Sequence, residues 1–146
     1  MAKSDFRFAW PFRVRYAEVE RQRVVFNAHY LIYFDTAITE YFRKLPYDYM
    51  GQVERTDENY HTVRTLVEYQ QPIEFDEDNE VHVRTSRMGR TSLTFLLEIH
   101  PKDADDLRAT GEVVWVNAEQ ATHSSASLPE ELIEKISTFE SERVER

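Results

Sequence analysis

Residues 28–44 most constrain the fold, because this stretch has neither glycine nor proline and is apolar around most of a helix. The apolar side chains recur at helical spacing and extend beyond a single stripe: Tyr30, Leu31, Tyr33, Phe34, Ala37, Ile38, Tyr41, Phe42 and Leu45. Such a helix must be wrapped by other structure, since packing one stripe against a core would not bury it. Asn27 is the expected N-cap, and Pro46 ends the helix.

Strand-like alternation of apolar and polar residues occurs on both sides of this helix. One such segment precedes the helix and the others follow it: residues 12–16, 61–69, 80–87, 92–100 and 109–118. Strands grouped after one long helix predict the α+β class, with an antiparallel sheet of about five strands. A sheet of that size curled around one long central helix is the hot-dog arrangement.

The remaining segments complete one expected domain over residues 1–146. Residues 50–59 are polar and predict a loop or a short helical turn. Pro129 opens a last amphipathic helix over residues 129–139. The charged segment 140–146 is expected to be a frayed tail.

Charge and cysteine content exclude several kinds of function. The net charge is −9, whereas nucleic-acid binding needs a basic face. The absence of cysteine excludes disulfides, thiolate catalysis and zinc–thiolate sites, and the scattered histidines predict no metal site. No apolar run approaches the roughly 20 residues of a membrane helix, and the start of the chain lacks the apolar core of a signal peptide. We therefore expect a cytoplasmic protein that binds neither nucleic acid nor membrane.

Residues 14–35 read Val-Arg-Tyr-Ala-Glu-Val-Glu-Arg-Gln-Arg-Val-Val-Phe-Asn-Ala-His-Tyr-Leu-Ile-Tyr-Phe-Asp. This segment resembles the signature of the 4-hydroxybenzoyl-CoA thioesterase family of hot-dog proteins, and in particular the acyl-CoA thioesterases associated with the Tol-Pal cluster. The agreeing positions are Arg15, Tyr16, Glu18, Val24, Val25, Tyr30, Leu31, Tyr33 and Phe34. Residues 88–92 resemble the family's Gly-x-x-Ser turn before a strand, so the resemblance covers about residues 10–120.

The resemblance implies a catalytic carboxylate at Glu20, where the family has Asp. It also implies that the backbone N–H of Asn27, at the start of the long helix, polarises the thioester carbonyl. The family's Gly aligns with Arg23, and arginine is tolerable there only if its φ is not positive. Arg23 could also place a guanidinium beside the carboxylate of Glu20. His29, in the first helical turn, is a further catalytic candidate, or else it lines the pocket or is solvated.

Three further residues of this segment, Tyr16, Tyr30 and Glu18, have predicted positions. Tyr16 and Tyr30 are expected in the core, and either could edge the acyl pocket. Glu18 is expected to be structural and paired with a nearby arginine.

The phosphates of coenzyme A require local cations in a chain of net charge −9. Arg87 and Arg90 flank Gly89 in a turn that Ser92 follows, and arginine can bind phosphate through two parallel hydrogen bonds. These residues, together with Tyr30 and Arg23, are the predicted set that binds the substrate and its CoA, and the alternative interpretation of the turn is a solvated hairpin turn.

The resemblance therefore implies hydrolysis of an acyl-CoA thioester to free acid and CoA, with CoA as part of the substrate and no separate cofactor. Two alternatives stay open: a catalytically weak hot-dog protein that binds acyl-CoA or another acyl thioester, and a hot-dog hydratase or dehydratase. The latter needs a His–Asp or His–Glu pair on the helix, whereas His29 and Glu40 are eleven residues apart. Family members generally form dimers whose sheets join, and many pair into tetramers, so we expect a homodimer or homotetramer.

Overall fold

The computed structural model describes residues 2–146, with residue 142 described by its backbone alone, and these residues form three α-helices and five β-strands. The helices are α1 (His29–Lys44), α2 (Tyr49–Thr56) and α3 (Glu130–Glu140). The strands are β1 (Phe8–Arg13), β2 (Glu58–Tyr69), β3 (Asp78–Met88), β4 (Ser92–Pro101) and β5 (Ala109–Glu119). Short 3-10 turns lie at Lys3–Asp5, Tyr16–Glu18 and Ser141–Arg143. Within residues 2–146, none of the helices is long and apolar enough to cross a membrane.

The strands form one antiparallel sheet in the order β1-β3-β4-β5-β2, so β1 and β2 are its edges. Pro11 lies in edge strand β1, where its missing N–H interrupts no ladder inside the sheet. The opposite edge strand, β2, is exposed along most of its length.

The core lies between α1 and one face of the sheet. It combines side chains of the helix with the inward residues of β4: Phe34, Ile38, Tyr41, Phe42, Leu93, Phe95, Leu97 and Ile99. Gly111 of β5 lies against the Phe34 ring, and a Cβ at this position would come within 2.4 Å of the ring's Cε2. Glycine therefore permits the close approach of helix and sheet. This architecture is the α+β hot-dog fold expected from the sequence, with α1 as its central helix.

The first strand is displaced from its predicted position. It covers Phe8–Arg13 rather than residues 12–16, because the chain leaves β3 after Arg13 and forms the turn Tyr16–Glu18. The polar stretch 50–59 becomes most of α2 and the first residues of β2. Asp48 starts α2 as an N-cap, since its carboxylate accepts a hydrogen bond from the Gly51 N–H at 2.9 Å.

The expectation of a frayed tail over residues 140–146 is wrong. The Glu145 N–H donates to Ser86 O at 2.9 Å, and the Met88 N–H donates to Glu145 O at 2.8 Å. The physical reason is that β1 pairs with β3 only as far as Val83, which leaves the backbone groups of Ser86 and Met88 to another partner. The tail satisfies them by lying parallel to the end of β3.

Candidate active site

Residues 18–26 fold into a hairpin that leads directly into α1. The Glu20 N–H donates to Val24 O at 2.9 Å, and the Phe26 N–H donates to Glu18 O at 3.0 Å. The Val25 N–H donates to Ile73 O at 2.7 Å, which joins the hairpin to the chain before β3. The local sequence thus forms a small antiparallel ladder that holds one arm, with Glu20, beside the arm that starts the helix.

Glu20 lies where the hairpin turns, and its side chain is half-buried. Its Oε1 accepts a hydrogen bond from the Gln22 N–H at 2.8 Å, and its backbone O accepts one from the Arg23 N–H at 2.9 Å. Within residues 2–146, only the Oε1 of this carboxylate is engaged in a hydrogen bond. The other oxygen is available to a substrate or a water molecule.

Arg23 has a φ of 69°, in the left-handed region, so the condition under which arginine would replace the family's glycine without strain is not met. An L-residue with a side chain is strained there, whereas glycine is not. The hairpin enforces this conformation, since the N–H of Arg23 and the O of Val24 both bond to the Glu20 backbone. The suggested contact between guanidinium and carboxylate does not form, because the part of the chain described gives Arg23 no ion pair and leaves it exposed.

The start of α1 presents free backbone N–H groups. The helix begins at His29 with Ala28 as N-cap and no side-chain cap, so the predicted capping by the Asn27 side chain is wrong. The His29 N–H donates to Phe26 O at 2.9 Å instead, and the Tyr30 N–H donates to Asn27 O at 3.3 Å. Across residues 2–146, the N–H groups of Asn27 and Ala28 find no acceptor. Together with the helix dipole they make this end positive, which suits a developing oxyanion.

Glu18 is buried, with 4% of its surface exposed, and each of its oxygens is bonded. Oε1 accepts hydrogen bonds from the Arg15 N–H at 2.8 Å and from the Tyr33 hydroxyl at 2.9 Å. Oε2 accepts from Arg15 Nε at 2.9 Å and lies 2.8 Å from its Nη2. Burial alone would raise the pKa of Glu18, but the hydrogen bonds from the Arg15 backbone, Tyr33 and the Arg15 guanidinium together lower it below the ordinary value. The predicted pairing with a nearby arginine is confirmed.

The two tyrosines of the motif lie in different environments. Tyr30 is 3% exposed and packs edge-on against Tyr69 with ring centroids 4.8 Å apart. Burial raises the pKa of Tyr30 to about 12, so its hydroxyl stays protonated. Tyr16 is 83% exposed, so its expected core position is wrong. The 3-10 turn directs its ring outward, where it meets Phe75 with centroids 5.8 Å apart.

A cavity of about 260 Å³ runs along α1 on the side of strands β2 and β5. Leu31 and Phe34 of the helix and Trp115 of β5 give it apolar walls, and Asp35 and Thr62 add polar atoms. Because Leu31 lies in the first helical turn, the cavity begins beside the free N–H groups of the helix end. It is therefore the candidate acyl cleft.

The turn between β3 and β4, which contains the predicted CoA-binding residues, is compact. The Gly89 N–H donates to Ser92 O at 2.9 Å, and a Cβ at position 89 would lie 2.5 Å from Ser92 Oγ. Arg87, Gly89 and Arg90 line one cavity of about 410 Å³ together with Arg146. The structure thus brings most of the predicted CoA-binding residues to one place, with Ser92 Oγ directly behind the glycine.

Residues 14–136 match the thioesterase-like superfamily. The chain belongs to this superfamily. It is 28% identical to the acyl-CoA thioester hydrolase YbgC of Escherichia coli over 127 residues. This match covers 86% of this chain and 92% of that protein. The DHNA-CoA thioesterase of Staphylococcus aureus has the same fold, with a TM-score of 0.82 and 20% identity, over 89% of this chain and 88% of the other. The 1,4-dihydroxy-2-naphthoyl-CoA thioesterase of Synechocystis also has a TM-score of 0.82, with 16% identity, over 88% and 94% of the two chains.

The two groups of predicted site residues, the hairpin with Glu20 and the turn with Gly89, lie far apart within one chain. The hairpin lies near the start of β3, because Val24 forms a β-bridge with Glu74 and the Val14 N–H, just before the hairpin, donates to Glu77 O at 3.0 Å. The turn with Gly89 follows the other end of β3. A strand of that length spans roughly 33 Å, so Glu20 and Arg90 do not share one site within a single chain.

Sequence reasoning missed the polar residues of the cleft in this superfamily member. Asp35 follows Leu31 by four positions and is an acid on an otherwise apolar face, which is a usable signal. Thr62 and Thr65 could not be found this way, because a β-bulge between Thr62 and Arg64 shifts the strand's alternation. Among the side chains that the structure describes, no cluster of three or more His, Asp or Glu has the geometry of a metal site.

Proposed function

We propose that this chain hydrolyses an acyl-CoA thioester to the free acid and CoA, with Glu20 as the catalytic carboxylate. The observation that carries the proposal is a hairpin that presents a half-free carboxylate on one arm and leads through the other arm to unpaired N–H groups at a helix start. The superfamily membership and the acyl-CoA thioester hydrolase among the relatives support the same reaction.

The chemistry needs a nucleophile and a stabilised oxyanion. In one route the Glu20 carboxylate attacks the thioester carbonyl carbon, which expels CoA thiolate and leaves an anhydride for water to cleave. In the other it takes a proton from a water molecule that attacks the same carbon, and the tetrahedral intermediate then expels CoA thiolate, which takes up the proton. In both routes the carbonyl oxygen gains negative charge, and the N–H groups of Asn27 and Ala28 lie at the positive helix end to receive it. His29 is half-buried with its ring 6.2 Å from that of Phe26, so it borders the site.

The acyl group is proposed to enter the cleft along α1. Its apolar walls suit a hydrocarbon or an aromatic ring, and Tyr30 lies buried at the base of the same helical turn. The CoA phosphates are proposed to bind Arg87 and Arg90, whose turn lines a separate cavity.

The two parts of the site are proposed to meet across a homodimer. Strand β2 ends beside the helix start, where the Tyr69 hydroxyl donates to Asn27 O at 3.4 Å. Its beginning lies near the Gly89 turn, because Asn117 donates a side-chain hydrogen bond to Glu58 at 2.9 Å and a backbone one to Thr91 O at 2.8 Å. Antiparallel pairing of two β2 edges places the end of one strand against the beginning of the other. Each helix start then faces the partner's phosphate turn.

The exposed surface of β2 supports this assembly. Val63, Leu66 and Tyr69 are 60%, 41% and 52% exposed, and Leu31 on the neighbouring helix is 46% exposed. An open strand edge with exposed apolar side chains favours pairing with another strand. The same surface is compatible with pairing of dimers into tetramers, and light scattering that gives a monomer would contradict the shared site.

The test is an assay of thiol release from a panel of acyl-CoA esters by the wild type, Glu20→Ala and Glu20→Gln. Loss of a general base or nucleophile lowers kcat by about 10²- to 10⁴-fold. Glu54→Gln, an exposed acid on α2, is the matched control and retains full activity. Asn27→Ala also retains activity, because the proposal uses its backbone N–H alone. Hydrolysis that is unaffected by both Glu20 substitutions would remove Glu20 from the mechanism.

A catalytically weak protein that binds acyl-CoA is the second candidate. Two observations favour it: Arg23 occupies a left-handed conformation, and glutamate is one methylene longer than the family's aspartate. Calorimetry that detects acyl-CoA binding without thiol release would support it. The hydratase alternative needs a His–Glu pair on the helix, but Glu40 is bonded to Arg43 rather than to His29. The proposal also includes a cytoplasmic location, the default for a cysteine-free chain, and no cofactor beyond the CoA of the substrate.

A further inference from the structure

Glu18 lies two residues before Glu20 and joins three separate segments. Its carboxylate bonds to Arg15 at the start of the 3-10 turn and to Tyr33 in the second turn of α1. Its backbone O accepts the Phe26 N–H at 3.0 Å, on the arm that leads to the helix start. The Glu18 side chain therefore links the first arm of the hairpin directly to the body of α1, in addition to the backbone hydrogen bonds of the hairpin.

The partner tyrosine is itself held rigidly. Tyr33 is 3% exposed, and its ring packs against Phe12 of β1 with centroids 4.3 Å apart. The hydroxyl of such a ring cannot follow a moving loop, so the hydrogen bond fixes Glu18 rather than the reverse. Beyond Glu18, the turn at residues 20–23 is exposed or half-buried and makes few contacts outside its own ladder.

The structure assigns Glu18 the role of a positioning residue, which tethers the Glu20 hairpin to α1 through Tyr33 and Arg15. This inference rests on the proposed function for its effect on turnover. Reaction geometry is sensitive at about the 1 Å level, where a misplacement costs on the order of 10²-fold in rate. A loosened tether moves Glu20 relative to the N–H groups of Asn27 and Ala28 and leaves the acyl cleft and the phosphate turn intact.

The decisive variant is Glu18→Gln, which keeps the size of the side chain. Its amide NH2 replaces either the oxygen that faces the Arg15 guanidinium or the oxygen that faces the Arg15 N–H and the Tyr33 hydroxyl, so in both orientations it meets a donor of Arg15. The expected result is a kcat lowered by about 10- to 100-fold with KM changed by less than about threefold. Tyr33→Phe removes only one hydrogen bond, and the expected fall in kcat is in the same direction and smaller.

Tyr47→Phe is the matched control. Tyr47 is a buried tyrosine whose hydroxyl donates to Gln52 at 2.9 Å, near α2 and remote from the hairpin. Its removal costs a comparable buried hydrogen bond, so it reports the consequence of lost stability alone. Tyr47→Phe is expected to leave kcat unchanged.

Amide hydrogen exchange gives a measurement that does not depend on turnover. In Glu18→Gln and Tyr33→Phe, the amides of residues 19–27 are expected to exchange faster, while those of β4 and β5 stay protected. Wild-type exchange in residues 19–27 of folded Glu18→Gln would overturn the inference, and so would a fall in kcat without any change in that exchange. If Glu18→Gln does not fold, Tyr33→Phe decides by the same criteria. A wild type that hydrolyses no acyl-CoA refutes the proposed function, and the exchange result still decides whether Glu18 tethers the hairpin.

Discussion

The hairpin before α1 has a root and a tip that differ sharply, although both present a glutamate. The root consists of Arg15, Glu18 and Tyr33, and its carboxylate is buried and accepts hydrogen bonds on both oxygens. The tip consists of residues 20–23, and its carboxylate at Glu20 accepts one hydrogen bond from its own turn. Of two glutamates separated by a single residue, one thus has a fixed, fully bonded carboxylate and the other has a carboxylate with an oxygen that is free to react.

This difference suggests that one glutamate of the hairpin has a structural role and the other a chemical one. A carboxylate that is saturated with donors is held in place and has no free oxygen to react, which suits a structural role. A carboxylate with a free oxygen can attack or take a proton, but only if something else fixes its position. The root supplies that fixation, and the tip carries the reactive group.

The largest expected difference between root and tip is in the free energy of unfolding that is lost when each glutamate is replaced by alanine. Glu18→Ala leaves the buried Tyr33 hydroxyl and the Arg15 N–H without an acceptor, so it should lower the free energy of unfolding by about 2 kcal/mol. Glu20→Ala removes one hydrogen bond at a half-exposed turn and should cost about 0.5 kcal/mol or less. Urea unfolding at neutral pH measures both. Equal losses would mean that the two carboxylates do not differ in structural role.

A smaller effect is expected at the tip from Arg23→Gly. A non-glycine residue in the left-handed region destabilises the folded chain by about 1–2 kcal/mol, and glycine removes this strain. Glycine also increases the conformational entropy of the unfolded chain, which offsets part of the stabilisation. The net result should be a stabilisation of about 0.5 to 1 kcal/mol in the same unfolding assay. Arg21→Gly is the control, because Arg21 is exposed in the same turn without a positive φ, and glycine there should destabilise. If both variants lose stability, the strain at Arg23 is not real.

The fold follows from the sequence where periodicity decides the outcome. The apolar circumference of residues 28–44 predicts a wrapped helix, and α1 covers nearly the same residues. The alternation of residues 92–100 and 109–118 predicts β4 and β5 to within one residue. These signals are local and strong, because each element has one face that must be buried.

The site depends on contacts that no local pattern contains. The φ of Arg23 is set by the ladder between Glu20 and Val24. Asn27 does not cap the helix because Phe26 O already accepts the His29 N–H. Likewise, the tail lies beside β3 because β1 stops pairing with it early, which only the strand register reveals. Specific backbone hydrogen bonds, both within a turn and between distant segments, thus determine the parts that sequence periodicity does not predict.

The smallest expected effect is on the pH dependence of stability, and it reports the contribution of the Glu18 charge in the root. The pKa of Glu18 is lowered on folding from its ordinary value of 4.5, so the folded chain stays ionised while the unfolded chain takes up a proton. Its contribution to stability is therefore complete above about pH 4.5 and is lost as the pH falls through the folded pKa. The stability difference between wild type and Glu18→Gln should be constant from about pH 7 to pH 5 and shrink below that.

The change should stay below about 0.5 kcal/mol, because the Arg15 side chain is 75% exposed and its ion pair is screened by solvent. Urea unfolding of the two proteins side by side from about pH 7 to pH 3.5 measures it. His82 also has a pKa lowered by burial, which destabilises both proteins equally as the pH falls and cancels in the difference. A stability difference that grows on acidification would mean that Glu18 is protonated in the folded chain, and the root would then hold the hairpin through neutral hydrogen bonds alone.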